Sequence, residues 1–347
     1  MHWWLRTLSC VACSACFQPT PPAGGPCNEA LECPAPLVCY SGTCQLTPPL
    51  SDAPMMTDME TSADAPPPVD AAPACATPAN LPSFGAATRV TALSGTTDEG
   101  TPSVTADGLE LYFKSNRAGG KGMGDIWKSS RASAIAAWGA PVNVAELNTT
   151  AAEGSTEISP DGLTLYFSSD RTGSAGALDL WVATRPDRTS AWSAPTRIAA
   201  LSSPRIDEGI YVSADGRVAY FQSDRDTATV DLKTIYRSTR ASTQSAWSTP
   251  VKVTELDSGT GDENPWLTAD DCTIYFQSVR AGGAGLADLW MARRPNPTSP
   301  FAAPVVLSGV NGTGFDADPL LSSNERYIMF VSNRVGLGGF DIYEASR

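Results

Sequence analysis

Histidine is almost absent from this chain of 347 residues, which contains only His2. Ser-His-Asp hydrolysis, Cys-His hydrolysis and histidine-ligated zinc all need that side chain, so we expect none of them once an N-terminal signal is removed. Basic residues are also few: 24 Lys and Arg stand against 37 Asp and Glu, a formal net charge of -13. Nucleic acid repels such a chain, so no nucleic-acid partner is expected.

Long apolar runs are missing too, since no stretch after the N-terminus approaches the roughly 18 residues of a membrane span. Residues 1–16 combine Arg6 with a short apolar stretch, which is typical of an export signal. Small residues precede Cys13 and Cys16, and this arrangement looks like a degenerate lipobox. The pattern predicts an outer-membrane or cell-surface lipoprotein, lipidated at Cys16 and so attached to a membrane; the alternative is a periplasmic or secreted protein.

Cleavage at Cys16 would leave an even number of cysteines, which favours disulfides in an exported protein. Four of them fall in a module at residues 17–45, which is too short to bury a useful core. Their spacing lacks a CxxC pair, so disulfides are favoured over a zinc knuckle, with all three connectivities left open. The remaining two are predicted to pair with each other. The six predicted disulfide cysteines are Cys27, Cys33, Cys39, Cys44, Cys75 and Cys272.

Residues 46–82 are rich in Pro, Ala, Asp and Thr and contain no Lys or Arg. A segment of this composition cannot bury enough apolar surface to fold, so it predicts an extended, solvated linker. The domain order is therefore a signal at 1–16, a Cys-rich module at 17–45, this linker, and a folded domain at 83–347.

A repeat of 54 or 55 residues occupies the folded domain, and such repeats indicate a modular fold. An apolar-aromatic triplet typified by Leu-Tyr-Phe stands at 111–113, 165–167, 219–221, 274–276 and 328–330. An arginine follows each triplet by four residues: Arg117, Arg171, Arg225, Arg280 and Arg334. Asp-Ile-Trp or a variant comes next, except in the third copy, and then an aromatic residue and a proline.

Each copy divides into four short strands with tight turns, as in a propeller blade. The last copy ends after its third strand, and residues 84–93 resemble a fourth strand, as at 138–147. We therefore expect an all-β, five-bladed β-propeller of four-stranded blades, closed by the N-terminal strand completing the last blade. A parallel β-helix is the main alternative, but its turns are much shorter.

The second copy carries Ser-Pro-Asp-Gly at 159–162, followed by Leu-Thr-Leu-Tyr-Phe-Ser-Ser-Asp-Arg and then Asp-Leu-Trp at 179–181. This pattern resembles the WD40-like (PD40) repeat of TolB-type periplasmic propellers, and the resemblance covers about three-quarters of the chain. It implies a periplasmic or surface binding scaffold. TolB has six blades and an N-terminal α/β domain, which differs from the five blades expected here. We therefore do not expect this chain to bind TolB's own partner.

Acidic residues recur at the first strand of each copy, and a ring of carboxylates at the channel mouth could bind a cation or a basic peptide. The structural alternative is that each carboxylate accepts hydrogen bonds from the backbone or from an arginine. The candidate ring is Glu99, Glu153, Glu208, Glu263 and Asp316. The loop aspartates are expected to cap turns, with calcium ligation left open; no other metal, no cofactor and no catalytic residue is assigned.

Blades three and four break the symmetry. Residues 226–233 replace the Gly-rich loop of the third copy, and Trp266 stands on the first strand of the fourth. We expect a non-enzymatic envelope protein that binds an envelope protein, peptide or other ligand. The alternative is a carboxylate-dependent glycan hydrolase or lyase with its site in the channel, and a third reading is a purely structural surface protein.

Overall fold

The computed structural model describes residues 38–40, 43–45, 74–75, 81–229, 231–334 and 339–347. The chain divides into two units, 1–68 and 69–347. In the first unit, two strands form an antiparallel hairpin: β1 (Val38–Tyr40) and β2 (Thr43–Gln45). Over the described ranges, the structure contains no helix with the length and apolarity that a bilayer crossing requires.

The second unit is built from five antiparallel sheets of four strands. Blade 1 contains β4 (Glu99–Val104), β5 (Glu110–Ser115), β6 (Asp125–Ser130) and β7 (Val142–Asn143). Blade 2 contains β8 (Glu153–Ile158), β9 (Thr164–Ser169), β10 (Asp179–Thr184) and β11 (Thr196–Arg197). Blade 3 contains β12 (Asp207–Val212), β13 (Val218–Ser223), β14 (Thr234–Thr239) and β15 (Val251–Lys252). Blade 4 contains β16 (Asp262–Leu267), β17 (Thr273–Ser278), β18 (Asp288–Arg293) and β19 (Val305–Val306).

Blade 5 is composed of both ends of the propeller sequence. Its first three strands are β20 (Asp316–Leu321), β21 (Tyr327–Ser332) and β22 (Asp341–Ser346), and its outer strand is β3 (Thr88–Arg89). In the β22–β3 pair, Arg89 lies opposite Tyr343. The first strand of each blade contacts that of the next, and β20 contacts β4, so the ring is closed. The predicted five-bladed propeller and its closure are confirmed.

The repeated triplet packs the blades against each other because successive residues of a strand face opposite sides. Leu111 and Phe113 pack with residues of blade 5, whereas Tyr112 packs with residues of blade 2. Five buried apolar clusters form in this way from neighbouring blades. A sheet with two apolar faces is thus covered on both sides only when its neighbours are present.

A β-bulge interrupts every inner strand near its middle. One residue of each bulge adopts a left-handed backbone conformation with φ between 45° and 62°, and the five positions are Thr101, Ser155, Gly209, Asn264 and Asp318. Such residues bend a strand and redirect its side chains. All five line a small cavity of about 40 Å³ at the waist of the central channel.

A disulfide joins Cys75 to Cys272, with a Cα–Cα distance of 5.8 Å, as predicted. The backbone N–H of Cys75 also donates to the carbonyl of Pro295 at 2.8 Å. Both contacts lie in blade 4, although β3, the next strand after Cys75, belongs to blade 5. The segment before the propeller is therefore fixed to a different blade from the one that it completes.

Candidate functional site

A carboxylate–arginine pair repeats in every blade at the start of the inner strand. The carboxylates are at most 1% exposed, and each lies 18 residues before its arginine; they are Glu99, Glu153, Asp207, Asp262 and Asp316. In blade 2, Arg171 contacts Glu153 at 3.1 Å and donates to Ser169 Oγ at 3.1 Å and to the Leu147 carbonyl at 2.6 Å. Its guanidinium also lies over two aromatic rings. We call these five pairs the carboxylate–arginine belt, and its contacts stabilise the fold.

The five residues of the predicted ring do not occupy one position of the repeat. Glu99, Glu153 and Asp316 belong to the belt, within one blade each. Glu208 and Glu263 lie one residue further along their strands, beside the belt members Asp207 and Asp262. Adjacent strand residues face opposite ways, so Glu208 and Glu263 face the channel mouth whereas the belt members bind their arginines, although Glu99 and Glu153 also border the mouth cavity. Binding by either group stays a prediction.

The channel mouth is a cavity of about 440 Å³, a volume typical of small-molecule sites. Ten of its lining residues are five cross-strand pairs, one from each blade: Gly100 with Lys114, Gly154 with Ser168, Glu208 with Gln222, Glu263 with Gln277, and Ala317 with Val331. The backbone positions repeat, but the side chains differ. The mouth is therefore the place where the five-fold symmetry is broken.

Glu263 is the hub of a hydrogen-bond network in blades 3 and 4. Gln222 Nε2 donates to its Oε2 at 3.4 Å, and Gln277 Nε2 donates to the same oxygen at 3.3 Å. Burial raises the pKa of Glu263 to about 7, partly offset by the charge of Lys233. Near neutral pH this carboxyl group can therefore both donate and accept a proton.

Lys233 contributes a cation to the same wall. Its Nζ lies 2.8 Å from Glu208 Oε1 and 3.9 Å from Glu263 Oε2, and its side chain is 13% exposed. Burial works against its charge, but the neighbouring carboxylates outweigh burial and raise its pKa. Lys233 ends the loop that replaces the Gly-rich loop of the other blades. The irregular loop of the third copy therefore supplies a cation to two carboxylates of the mouth.

The floor of the mouth is formed by Asp318 and Asn264, two of the bulge residues. Asp318 accepts from the Thr101 N–H at 2.7 Å and from the Asn264 side-chain amide. Asn264 Nδ2 also donates to Gln277 Oε1 at 3.1 Å, which links the floor to the network around Glu263. Burial raises the pKa of Asp318 to about 6.

Lys114 lies on the opposite wall. Its cross-strand partner, Gly100, and the matching residue of the next inner strand, Gly154, are both glycines. Among the described residues Lys114 makes no ion pair and no hydrogen bond through its ammonium. Its charge nevertheless acts on Asp318, whose pKa it lowers against the effect of burial. The mouth thus has a cationic wall in blade 1 and a carboxylate and amide wall in blades 3 and 4.

The far end of the channel carries a second group of polar and aromatic residues. Ser103 Oγ donates to Glu157 Oε2 at 3.0 Å, and burial raises the pKa of Glu157 to about 8. Trp266 occupies the equivalent position in blade 4 and packs edge-on against Tyr211 at 6.2 Å between ring centroids. This second symmetry-breaking residue of the sequence is thus part of the aromatic packing below the waist.

In blades 1, 2 and 4, the aspartate that follows the Gly-rich loop accepts from backbone N–H groups of that loop. Asp125 accepts from the backbone N–H of Lys121 at 2.9 Å and of Gly122 at 3.2 Å, so it caps its loop. In the described part of the chain, no three His, Cys, Asp or Glu side chains are grouped to hold a metal ion.

Three of the seven predicted covalent sites lie outside the described residues. These are the lipidation site Cys16 and the module cysteines Cys27 and Cys33. Cys39 and Cys44 lie opposite each other in the register of β1 and β2. The connectivity of the module and the lipid anchor stay predictions.

No family model matches the sequence, and no curated protein matches it. Solved structures do match. TolB from Acinetobacter baumannii is 16% identical with a TM-score of 0.46, over 74% of this chain and 56% of that one. A GH62 hydrolase in complex with xylotriose is 11% identical with a TM-score of 0.50, over 72% of this chain and 91% of that one. A GH43 protein from Bacillus licheniformis is 14% identical with a TM-score of 0.50, over 74% of this chain and 54% of that one.

The chain spans little more than half the length of the Acinetobacter baumannii TolB and of the Bacillus licheniformis GH43 protein. At these identities, the likeness extends to the propeller fold. The side chains of the mouth are the features of this chain from which function can be argued.

Proposed function

We propose that the protein is a non-enzymatic binding propeller whose ligand enters the channel mouth. One observation carries the proposal: the blades share their belt and their core, but differ at the ten paired positions that line the mouth. Residues that repeat in every blade serve the architecture, whereas a binding site for one ligand needs unlike groups around one point. The network of Glu263, Gln222 and Gln277 supplies such groups in a fixed arrangement.

A ligand panel tests this proposal through its effect on the melting temperature of the full chain, because a ligand that binds only the folded state raises it. The panel would contain neutral and acidic saccharides, amino acids, and basic and acidic dipeptides. We expect at least one class to stabilise the wild type and to stabilise Glu263→Gln much less. Glu146→Gln is the matched control, because Glu146 is exposed and outside the mouth. If no class acts, or if Glu263→Gln responds like the wild type, the proposal fails.

A second candidate function is hydrolysis of a glycosidic bond in the mouth. Glycoside hydrolases commonly pair a carboxyl group of raised pKa with an ionised one. Here the pKa of Glu263 is raised to about 7, while Glu208 pairs with Lys233 at 2.8 Å. Glu263 would be the general acid and Glu208 the base or nucleophile.

Release of reducing ends from a glycan panel separates the two functions. Hydrolysis predicts turnover by the wild type and a loss of at least about a hundredfold in both Glu208→Gln and Glu263→Gln. Binding without turnover supports the first proposal and excludes the second for that panel.

We further infer that the repeat is of the TolB-like PD40 type and that the propeller is an envelope lipoprotein. The Ser-Pro-Asp-Gly motif at 159–162 and the cysteine pattern support these two proposals. Mass spectrometry of the mature N-terminus from host membranes tests the anchor: a diacylated or triacylated Cys16 would support it. An unmodified N-terminus in the medium would indicate secretion instead.

A further inference from the structure

The cationic wall of the mouth is shaped around Lys114. A Cβ on Gly124 would lie 2.8 Å from Lys114 Cε, and one on Gly154 would lie 3.1 Å from its Cδ. The third glycine of this wall, Gly100, is the cross-strand partner of Lys114. The glycines therefore leave the room that the lysine stem needs. Since its ammonium has no partner among the described residues, it is available to an anionic group in the cavity.

Six carboxyl groups line the cavity, and four of them have partners away from the wall opposite Lys114. Glu99 and Glu153 pair with their belt arginines, and Asp98 and Asp318 accept from backbone N–H groups.

The wall opposite Lys114 offers carboxyl and amide groups. Glu208 is already paired with Lys233, and burial raises the pKa of Glu263 to about 7. The amides of Gln222 and Gln277 occupy Oε2 of Glu263, and no described donor contacts its Oε1. Carboxyl and amide groups in this arrangement bind hydroxyl groups, which both donate and accept.

Apolar side chains complete the rim of the mouth. Phe315 and Phe340 form an edge-to-face pair with 6.1 Å between ring centroids, and Leu178 lines the same cavity. An aromatic ring offers an apolar face to the C–H groups of a ligand. Among the residues that the structure describes, the mouth therefore combines the ammonium of Lys114, a wall of carboxyl and amide groups, and an apolar rim.

We propose that the ligand is an acidic saccharide, a sugar ring bearing a carboxylate, with that carboxylate against Lys114 and its hydroxyl groups against Glu263 and its amides. A cavity of about 440 Å³ accommodates one or two such rings rather than a folded partner. An amino acid fits the site less well, because Lys233 already supplies the cation beside Glu208 that its ammonium would replace. This inference rests on the proposed function and specifies its ligand class.

Calorimetric titration of the full chain with matched acid and neutral sugars tests the assignment. The probes are galacturonate against galactose and glucuronate against glucose. We expect one acid to bind at least tenfold more tightly than its neutral counterpart. Lys114→Gln should weaken that acid by about tenfold to a hundredfold, as loss of a charge-assisted hydrogen bond does, and the neutral sugar by less than about threefold. Added salt should weaken binding of the acid to the wild type more than to Lys114→Gln.

Two further variants control for charge and folding. Arg326→Gln makes the same charge change at an exposed position in the turn between β20 and β21, away from the mouth. It should leave both affinities unchanged. Lys114→Arg keeps the charge and should keep the preference for the acid, which separates charge recognition from a packing role. Far-ultraviolet circular dichroism and a melting curve establish that each variant folds.

Three results would overturn the inference. Equal affinity for acid and neutral sugars would remove the role of the carboxylate, and an unchanged preference in Lys114→Gln would remove that of the lysine. Binding of glycine or glutamate but of no sugar would assign the mouth to amino acids, and the proposed function would survive. If the proposed function itself is wrong, no member of the wider panel will depend on Glu263.

Discussion

Replacing Arg171 by methionine tests whether the carboxylate–arginine belt stabilises the fold. The substitution keeps most of the apolar stem but removes the guanidinium. Glu153, which is fully buried, then loses its only described cationic partner at 3.1 Å. The Leu147 carbonyl and Ser169 Oγ lose a donor as well. Thr149 still donates to the carboxylate through its N–H at 2.9 Å and its hydroxyl at 2.7 Å.

Removing one partner of a buried ion pair typically costs about 3–5 kcal/mol, because an uncompensated charge stays buried. We expect a loss in this range for Arg171→Met, a large part of the roughly 5–15 kcal/mol that stabilises an ordinary protein. The double variant Glu153→Gln/Arg171→Met should be less damaging than the sum of its single variants, because they share one interaction. The repeat adds an internal comparison: the Arg334 side chain is 25% exposed and that of Arg171 10%, so Arg334→Met should cost less.

Urea unfolding of the full oxidised chain, followed by tryptophan fluorescence, gives these free energies from the midpoint and the slope. A change in midpoint at constant slope would report lost stability of the folded state. A shift of Arg171→Met within about 0.5 kcal/mol of the wild type, the range of ordinary surface substitutions, would refute the role given to the belt. Additive single and double variants would refute the coupling of Arg171 to Glu153.

Two further perturbations test the disulfide and the far end of the channel. The Cys75–Cys272 bond spans 197 residues, so Cys75→Ser/Cys272→Ser should lose about 2–5 kcal/mol of unfolding free energy in urea. The reduced wild type should resemble the variant, and a variant midpoint equal to that of the oxidised wild type would contradict the prediction. Burial raises the pKa of Glu157 from 4.5 to about 8, so between these pH values the folded state holds a proton that the unfolded state releases. The contribution of Glu157 to the free energy of unfolding is therefore full below about pH 4.5 and is lost as the pH rises towards 8. Between these pH values the melting temperature should therefore fall less in Glu157→Gln than in the wild type. An identical fall in both proteins would reject the assignment. Glu146→Gln, at an exposed position, should behave like the wild type.

The sequence predicted the propeller because its repeat encodes local rules that agree with the global fold. The apolar triplet and the turn residues recur at fixed offsets, so alignment of the copies gives the number of blades. The last copy lacks a fourth strand and residues 84–93 resemble one, so the same alignment gives the closure. Register at the inner strands was harder to predict. Asp207 and Glu208 are adjacent acidic residues, as are Asp262 and Glu263, and a one-residue choice decides which side chain faces the channel.

A signal for the register was nevertheless present. Counting 18 residues back from each repeated arginine identifies the belt carboxylate in all five blades. The remaining acidic residue of blades 3 and 4 must then face the mouth. The roles of Lys114 and Lys233 had no such signal. Lys233 pairs with Glu208 of its own blade and lies 3.9 Å from Glu263 of the next, and Lys114 has no ion-pair partner among the described residues. Only the folded arrangement therefore shows which wall each lysine serves.

The attachment of Cys75 to blade 4 also determines how the propeller resists mechanical force. Tension on the chain before Cys75 passes through a covalent bond into the hairpin that holds Cys272. The strand β3, which pairs with β22 through only two residues, stays outside the path of the load. In the reduced protein the same tension would reach β3 directly and peel it from blade 5. The oxidised bond thus shields the strand that closes the ring from pulling at the N-terminal end.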